Sequence, residues 1–309
     1  MKVPTISAVV RAYNAEDYIG KSVSAILDQT RPADEVIVLN DGSTDGTAQE
    51  LRRFEGEIRV VWQENAGHVA AMNRCFTEAR GEFVAICDAD DVWMPGKLER
   101  QEQALRSNPE VDLAFGAAEW IGLASGLRAS YPGTGVIAHR RVAKRLFRAN
   151  SICTSSVVIR RSLQRRLGPF IAGLPCEDYE YWLRALEAGA VFYSDPQVLV
   201  RYRRCEQSVS SDKLAMHRAE LAVHTMHAGL PARAGYAEKT IARDLRNIAR
   251  ELRDQGDCEQ ARAVFGVSLA HRPSVHALAW IAVLCAPERV RQRLGSRLIT
   301  VKRALRPGA

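Results

Sequence analysis

The first 120 residues alternate short apolar runs with longer amphipathic stretches. Ile6–Val10 is a continuous run of small and apolar residues, the pattern of a strand buried on both faces. Val36–Leu39, Ile58–Trp62, Phe83–Cys87 and Val111–Phe115 read as further strands. Between these runs the apolar spacing becomes helical. One helix is expected from Ala15 to about Asp28, carrying Ile19, Val23, Ile26 and Leu27, with Asn14 placed to cap it. Others are expected up to about Phe54, from Gly67 to about Ala79, and from Lys97 to about Arg106. This alternation predicts βαβ units and a parallel sheet. Beyond it the pattern loosens: Ser155–Ile159 and Val198–Tyr202 read as strands and Asp178–Leu186 as a helix. From about Asp212 the chain turns helical. Ala237–Pro273, broken at Gly256-Asp257, is similar to one helix–turn–helix repeat of the tetratricopeptide type. One copy builds no solenoid, so an accessory helical hairpin is expected.

Composition changes this picture at one place. The 309 residues are 47% hydrophobic and 26% charged, an ordinary globular mixture of about two domains. The net charge of +7 is concentrated at the end, where Arg289, Arg291, Arg293, Arg297, Lys302, Arg303 and Arg306 face Glu288 alone. In the same stretch Val290, Leu294, Leu298, Val301 and Leu305 fall on one helical face. Residues 288–309 thus read either as a basic amphipathic helix for an anionic membrane surface or as a stripe packed on the rest of the chain. Nucleic acid is excluded as a partner, because the charge is confined to one end without interleaved aromatics. The start lacks a signal-peptide pattern, and the longest apolar run, Ala277–Ala286, is half the roughly 20 residues of a bilayer span. A cytoplasmic protein is expected, peripheral on the inner face of the cytoplasmic membrane if the tail binds there. Seven cysteines without a CxxC pair read as reduced thiols. His217, His224 and His227 read as surface histidines on a helix.

Candidate chemistry collects at one edge. In an open parallel sheet, ligands bind outside the carboxyl ends of the strands, where strand order reverses. Asp41 follows the second strand, Asp88, Asp90 and Asp91 follow the fourth, and Tyr13 follows the first. Converging carboxylates repel unless a cation or donor groups offset them. A hard divalent ion, held by one or two carboxylates plus substrate phosphates, is a common solution. Either acidic turn alone is an ordinary turn. Together with Tyr13-Asn14, in order and each after a strand, they point to a metal–nucleoside diphosphate site beside an aromatic platform. No G-x-G-x-x-G follows the first strand, so the dinucleotide fingerprint is absent.

The ordered segments Ser7-Ala-Val-Val-Arg-Ala-Tyr-Asn14, Asn40-Asp-Gly-Ser-Thr-Asp-Gly46, Gln63-Glu-Asn-Ala-Gly67, Asp88-Ala-Asp-Asp91 and Glu177-Asp178 resemble those of the family-2 glycosyltransferases, over roughly residues 5–210. The resemblance implies the GT-A fold, an α/β architecture with a mostly parallel sheet flanked by helices, here followed by an all-helical extension. Residues 1–211 would be the catalytic domain, with a nucleotide-sugar half (1–117) and an acceptor half (118–211), and 212–309 the helical region with its basic tail. The implied reaction is inverting transfer of a sugar from a nucleoside-diphosphate sugar, UDP foremost, to a glycan or lipid-linked glycan in cell-surface polysaccharide synthesis. Tyr13 would stack on the base and Asp41 accept a hydrogen bond from it. Asp90 and Asp91 would meet the ribose and a Mn2+ or Mg2+ ion bridging the phosphates, supported by Asp88. Asp178 corresponds to the general base, with Glu177 and Trp182 on the acceptor side. Trp182 serves equally as a core residue. Arg203, after the last strand, is the candidate phosphate contact.

Three positions depart from the family pattern. Arg11 replaces a Pro or small residue, which points to an altered base pocket. Asn40 replaces the first Asp of an Asp-Asp-Gly turn, and Cys205 stands where many relatives carry His. The Gln-x-x-Arg-Trp sequence of processive synthases is absent, favouring single additions. A catalytically silent nucleotide-sugar scaffold and a nucleotidyltransferase are the competing classes. The complete Asp90-Asp91 and Asp178 set argues against the first. The absence of a Gly-rich basic loop after the first strand argues against the second.

Overall fold

The structure, a computed structural model, describes residues 5–122, 126–129, 134–205, 211–229 and 236–286. The basic stretch 288–309 and its expected amphipathic helix lie outside these residues. Two compact units are distinguished, Met1–Ser211 and Asp212–Ala309.

The first unit opens with β1 (Ile6–Ala12), α1 (Ile19–Leu27), β2 (Glu35–Asp41), α2 (Thr47–Arg52), β3 (Arg59–Gln63), α3 (His68–Glu78) and β4 (Phe83–Asp88). Strands β3, β2, β1 and β4 pair in that order, all parallel. The chain moves outward from β1 to β3 and then returns to the other side of β1. The strand order therefore reverses at β1 and β4, and a ligand crevice belongs at their carboxyl ends. The runs of β1, β2 and β4 are buried on both faces, with Ala8, Val10, Ile37, Val38, Ala85 and Ile86 all fully enclosed, whereas edge strand β3 is only half-buried and exposes Trp62. Helix α1 starts later than its apolar spacing suggests. Asn14 does not cap it: this residue takes a left-handed φ of 46° and accepts the Thr44 amide at 2.8 Å, tying its turn to the neighbouring loop.

The second half adds β5 (Val92–Trp93), α4 (Lys97–Ser107), β6 (Leu113–Gly122), β7 (Gly126–Ala129), β8 (Gly135–Ile137), α5 (His139–Leu146), β9 (Val158–Arg160), α6 (Arg161–Leu167), α7 (Glu177–Glu187) and β10 (Phe192–Arg204). The sheet runs β3-β2-β1-β4-β9-β6-β10-β5, with β7 on β6 and β8 on β10. The expected mostly parallel sheet holds through β3-β2-β1-β4 and at β6-β10, but β9 is antiparallel to both β4 and β6, making the whole mixed. The reason lies just before β9. Ser155 Oγ accepts the Asp88 amide and Thr154 donates to Asp178, which anchors this turn at the carboxyl edge. A strand leaving that edge runs down the sheet.

Lys97, the first residue of α4, is fully buried, with its Nζ 2.8 Å from Gln101 Oε1 and 4.0 Å above the Trp93 ring. Burial pushes its amine down to about 7 from an ordinary 10.5. Between those values the unfolded chain binds the extra proton, so this group makes stability rise with pH. From pH 7 to 9 it contributes about 2 kcal/mol of that rise. Lys97→Met is expected to remove this increment, as read from urea unfolding of both proteins at the two pH values. Equal pH slopes would contradict the assignment.

The second unit contains α8 (Lys213–Met226), α9 (Ala237–Asp254), α10 (Cys258–His271) and α11 (Val275–Cys285). Asp212, Asp257 and Ser274 cap α8, α10 and α11 by accepting a backbone amide. Helices α9 and α10 form a hairpin about Gly256, and Ile248, Leu252, Ala261, Phe265 and Trp280 fill its core. His224 and His227 are not surface residues. His224 is 1% exposed and its Nδ1 lies 2.6 Å from Asp244 Oδ2, a partner on the next helix that local spacing does not reveal. Among the described residues no helix is long and apolar enough to cross a membrane. None of the seven cysteines forms a disulfide.

Candidate active site

Three turns meet at the carboxyl edge of β1, β2 and β4. After β1, Tyr13 projects with half its surface exposed (51%). The Asn14 amide donates to Ser43 Oγ at 3.0 Å and the Ala15 amide to Thr47 Oγ1 at 2.8 Å. Asn40 Oδ1 accepts the Ser43 amide at 2.9 Å, a turn-closing bond that an Asp would also make. Asp41 is buried and organises the next loop: Oδ1 accepts from Gln63 Nε2 at 2.6 Å and the Ala66 amide at 2.9 Å, and Oδ2 accepts the Gly67 amide at 3.0 Å. A carboxylate offers about four acceptor positions, so these three bonds leave about one, on Oδ2. The approach is close enough that a Cβ on Gly42, which has φ +70°, would lie 2.6 Å from the Asn65 nitrogen.

The acidic turn after β4 is the most highly charged part of the edge. Asp88 stands beside Arg11 in the β1–β4 register, and its Oδ1 accepts from Arg11 Nε at 2.8 Å. Asp90 is half-buried, and burial together with the Asp88 charge pushes its carboxyl up to about 6. Asp91 is fully buried, and burial, Asp90 and Asp88 together raise it well above the usual carboxylate range. Its Oδ1 accepts the Arg203 amide at 2.8 Å. Its Oδ2 is buried without a well-formed hydrogen bond, although the Ser155 hydroxyl beside it moderates the charge. An under-satisfied carboxylate oxygen flanked by two more carboxylates fits a divalent cation, which would supply the missing partner and offset the repulsion. Among the described residues no group of three or more His, Cys, Asp or Glu is arranged to hold a metal ion by itself. The donor set suits an ion that takes its other ligands from substrate phosphates.

The first turn of α7 supplies the remaining carboxylates, where the positive end of the helix dipole favours them. Half-buried Asp178 accepts at Oδ2 from Asn150 Nδ2 (3.0 Å) and Thr154 Oγ1 (2.6 Å), and at Oδ1 from the Tyr179 amide (2.7 Å). Glu177 is not presented to an acceptor. It is 4% exposed and held by Arg11 Nη1 at 2.5 Å and by His68 at 3.3 Å. Burial alone would raise its carboxyl, but the Arg11 charge and His68 bring it down to about 2. Trp182 presents no stacking face either. It is fully enclosed and packs edge-on against Tyr181 at 5.8 Å, because α7 is buried on nearly every side. Arg203 turns back into the site: its Nε donates to the Asp90 carbonyl at 3.1 Å and its guanidinium covers the Tyr18 ring at 4.6 Å.

Arg11, the departure within β1, is a half-buried cation between two carboxylates, and both of them hold its charge against the cost of burial. Sequence reasoning placed Gln63 in the Gln63–Gly67 segment without giving it a role, and it missed His68, Asn150 and Thr154. Of these three only His68, adjoining the Asn-Ala-Gly turn, carried a positional signal.

Residues 7–166 match the family described as Glycosyl transferase family 2. A putative teichuronic acid biosynthesis glycosyltransferase, TuaG of Bacillus subtilis, is 30% identical over 220 residues, covering 68% of this chain and 83% of that one. The UDP-Glc:alpha-D-GlcNAc-diphosphoundecaprenol beta-1,3-glucosyltransferase WfgD of Escherichia coli is 30% identical over 212 residues, covering 67% and 80%. Among solved structures, S. aureus TarS in complex with UDP-GlcNAc superposes with a TM-score of 0.69 at 17% identity, covering 97% of this chain and 92% of the other. The mannosyltransferase PcManGT of Pyrobaculum calidifontis, in complex with GDP-Man and Mn2+, gives 0.60 at 19% identity, covering 99% and 88%. These two neighbours share the fold: an α/β unit of GT-A type with a helical region after it. The chain is a member of glycosyltransferase family 2.

Proposed function

We propose that this glycosyltransferase moves a sugar, with inversion, from a UDP-sugar to a hydroxyl of a glycan or lipid-linked glycan in polysaccharide assembly. The observation that carries the reading is the buried acidic turn Asp88–Asp91, with an under-satisfied Asp91 oxygen, at the point where strand order reverses. Family membership and the donor and acceptor chemistry named for TarS and WfgD support it. Asp90 and Asp91 would hold a Mn2+ or Mg2+ ion, as the Mn2+ complex of the mannosyltransferase neighbour suggests. When bound, such an ion supplies Lewis-acid stabilisation of the departing diphosphate.

The chain's own residues do the rest. Exposed Tyr13 offers an aromatic face to the base. Asp41 shapes the loop beneath the base and offers it a carboxylate oxygen. Asp88 supports the turn, and Arg203 lies close enough to Asp90 to reach the phosphates. Asp178, oriented by Asn150 and Thr154, takes the proton from the attacking hydroxyl as it reaches the anomeric carbon, opposite the leaving group. A panel of UDP- and GDP-sugars, offered with undecaprenyl-diphosphate-linked glycans and Mn2+, tests the reading. Release of UDP that depends on both acceptor and metal is the expected result. Metal-dependent nucleotide binding without transfer to any acceptor would favour the silent scaffold.

A further inference from the structure

We propose that Arg11 is a positioning residue of the transfer reaction: held between Asp88 and Glu177, it fixes the first turn of α7, and with it Asp178, against the donor-side carboxylates. The inference rests on the sugar-transfer reading above. Asp88 lies 77 positions from Arg11 along the sequence and Glu177 lies 166 away, yet one guanidinium reaches both, through Nε at 2.8 Å and Nη1 at 2.5 Å. Nη1 also approaches the His68 carbonyl at 3.3 Å, and the His68 ring contacts the far oxygen of Glu177 at 3.3 Å. Glu177 is therefore gripped from two sides, and its neighbour Asp178 is held from a third by Asn150 and Thr154.

An arginine suits this place for a geometric reason. Its planar fork directs separate N–H groups at two carboxylates lying in different directions, whereas a lysine ammonium is a single point charge. The register explains the placement. Arg11 and Asp88 are lateral partners on parallel strands in the middle of the sheet. Anchoring the base-bearing helix to that centre controls the separation between the proton acceptor and the donor carboxylates. In a displacement reaction, misplacement by about 1 Å costs on the order of 100-fold in rate.

The test uses the full chain with the substitutions Arg11→Lys, Arg11→Met and Glu177→Gln, and the double variant Arg11→Met/Glu177→Gln. Steady-state transfer gives kcat and the donor KM, and calorimetry gives UDP affinity in Mn2+. Arg11→Met and Glu177→Gln are each expected to lower kcat by about 10- to 100-fold while donor KM and UDP affinity stay within about 3-fold. Arg11→Lys should restore part of the loss. The double variant should be no slower than the slower single variant, because both substitutions break one connection. If Arg11→Met fails to fold, Glu177→Gln, which keeps the shape and removes one charge, gives the same readout. Wild-type kcat in folded Arg11→Met or Glu177→Gln overturns the proposal, and so do losses that multiply in the double variant. A wild-type protein that neither binds UDP with metal nor transfers sugar overturns the underlying reading as well.

Discussion

Asp178→Asn is expected to lose at least ~100-fold in kcat while binding UDP and Mn2+ as the wild type does, the usual scale for removing a general base. The substitution is close to isosteric. An Asn oxygen in the Oδ2 position still accepts from Thr154 and Asn150, and only the bond from the Tyr179 amide to the other oxygen is lost. What disappears is the capacity to take a proton from a sugar hydroxyl, a poor nucleophile until it is deprotonated. The donor carboxylates at Asp88–Asp91 are untouched, so binding and turnover separate cleanly. Transfer kinetics beside calorimetric UDP titration check this. Wild-type turnover in the variant would remove Asp178 from the mechanism, and a parallel loss of UDP affinity would make its role structural.

Asp91→Asn is expected to do the opposite: more than ~100-fold weaker metal-dependent UDP binding, exceeding the 10–100-fold cost of losing a partner outside the coordination sphere. Asp91 is fully buried, with Asp90 and Asp88 as negative neighbours and one oxygen short of partners. Folding therefore buries a carboxyl whose charged form nothing on the chain fully offsets, the kind of local cost retained at functional sites. The Asn variant keeps an acceptor for the Arg203 amide and discards the charge. Its ligand-free Tm is expected to equal or exceed that of the wild type, while the Tm increase on adding UDP and Mn2+ is lost. Thermal unfolding with and without ligands reads both effects. A lowered ligand-free Tm together with retained UDP and Mn2+ stabilisation would contradict the assignment.

The parts legible in the sequence were those fixed by local pattern. The strands at Ile6–Val10, Val36–Leu39 and Phe83–Cys87 are apolar on both faces, so periodicity and length located them. The turns that follow them then fell at one edge by topology alone. Long-range pairing was not legible. Nothing around residue 158 announces an antiparallel strand, because the cause is a hydrogen bond from the Asp88 amide to Ser155, 67 positions away. Trp182 has the same aromatic character whether it faces a sugar or the core. Only the packing of α7 on nearly every side decides for the core, with Tyr179, Tyr181 and Leu183 enclosed as fully as Trp182. Glu177 and Arg11 illustrate the point most sharply. Arg11 is an isolated polar residue in the sequence and Glu177 half of an acidic pair, and their meaning is a contact across 166 positions.

The most direct test of the donor site is a calorimetric titration of the unmodified chain with UDP, with and without Mn2+. Saturable UDP binding that requires Mn2+ is the result this account expects from Tyr13, Asp41 and the Asp88–Asp91 turn acting together. UDP binding that is equally strong in a metal chelator, or no binding of UDP under either condition, would contradict it.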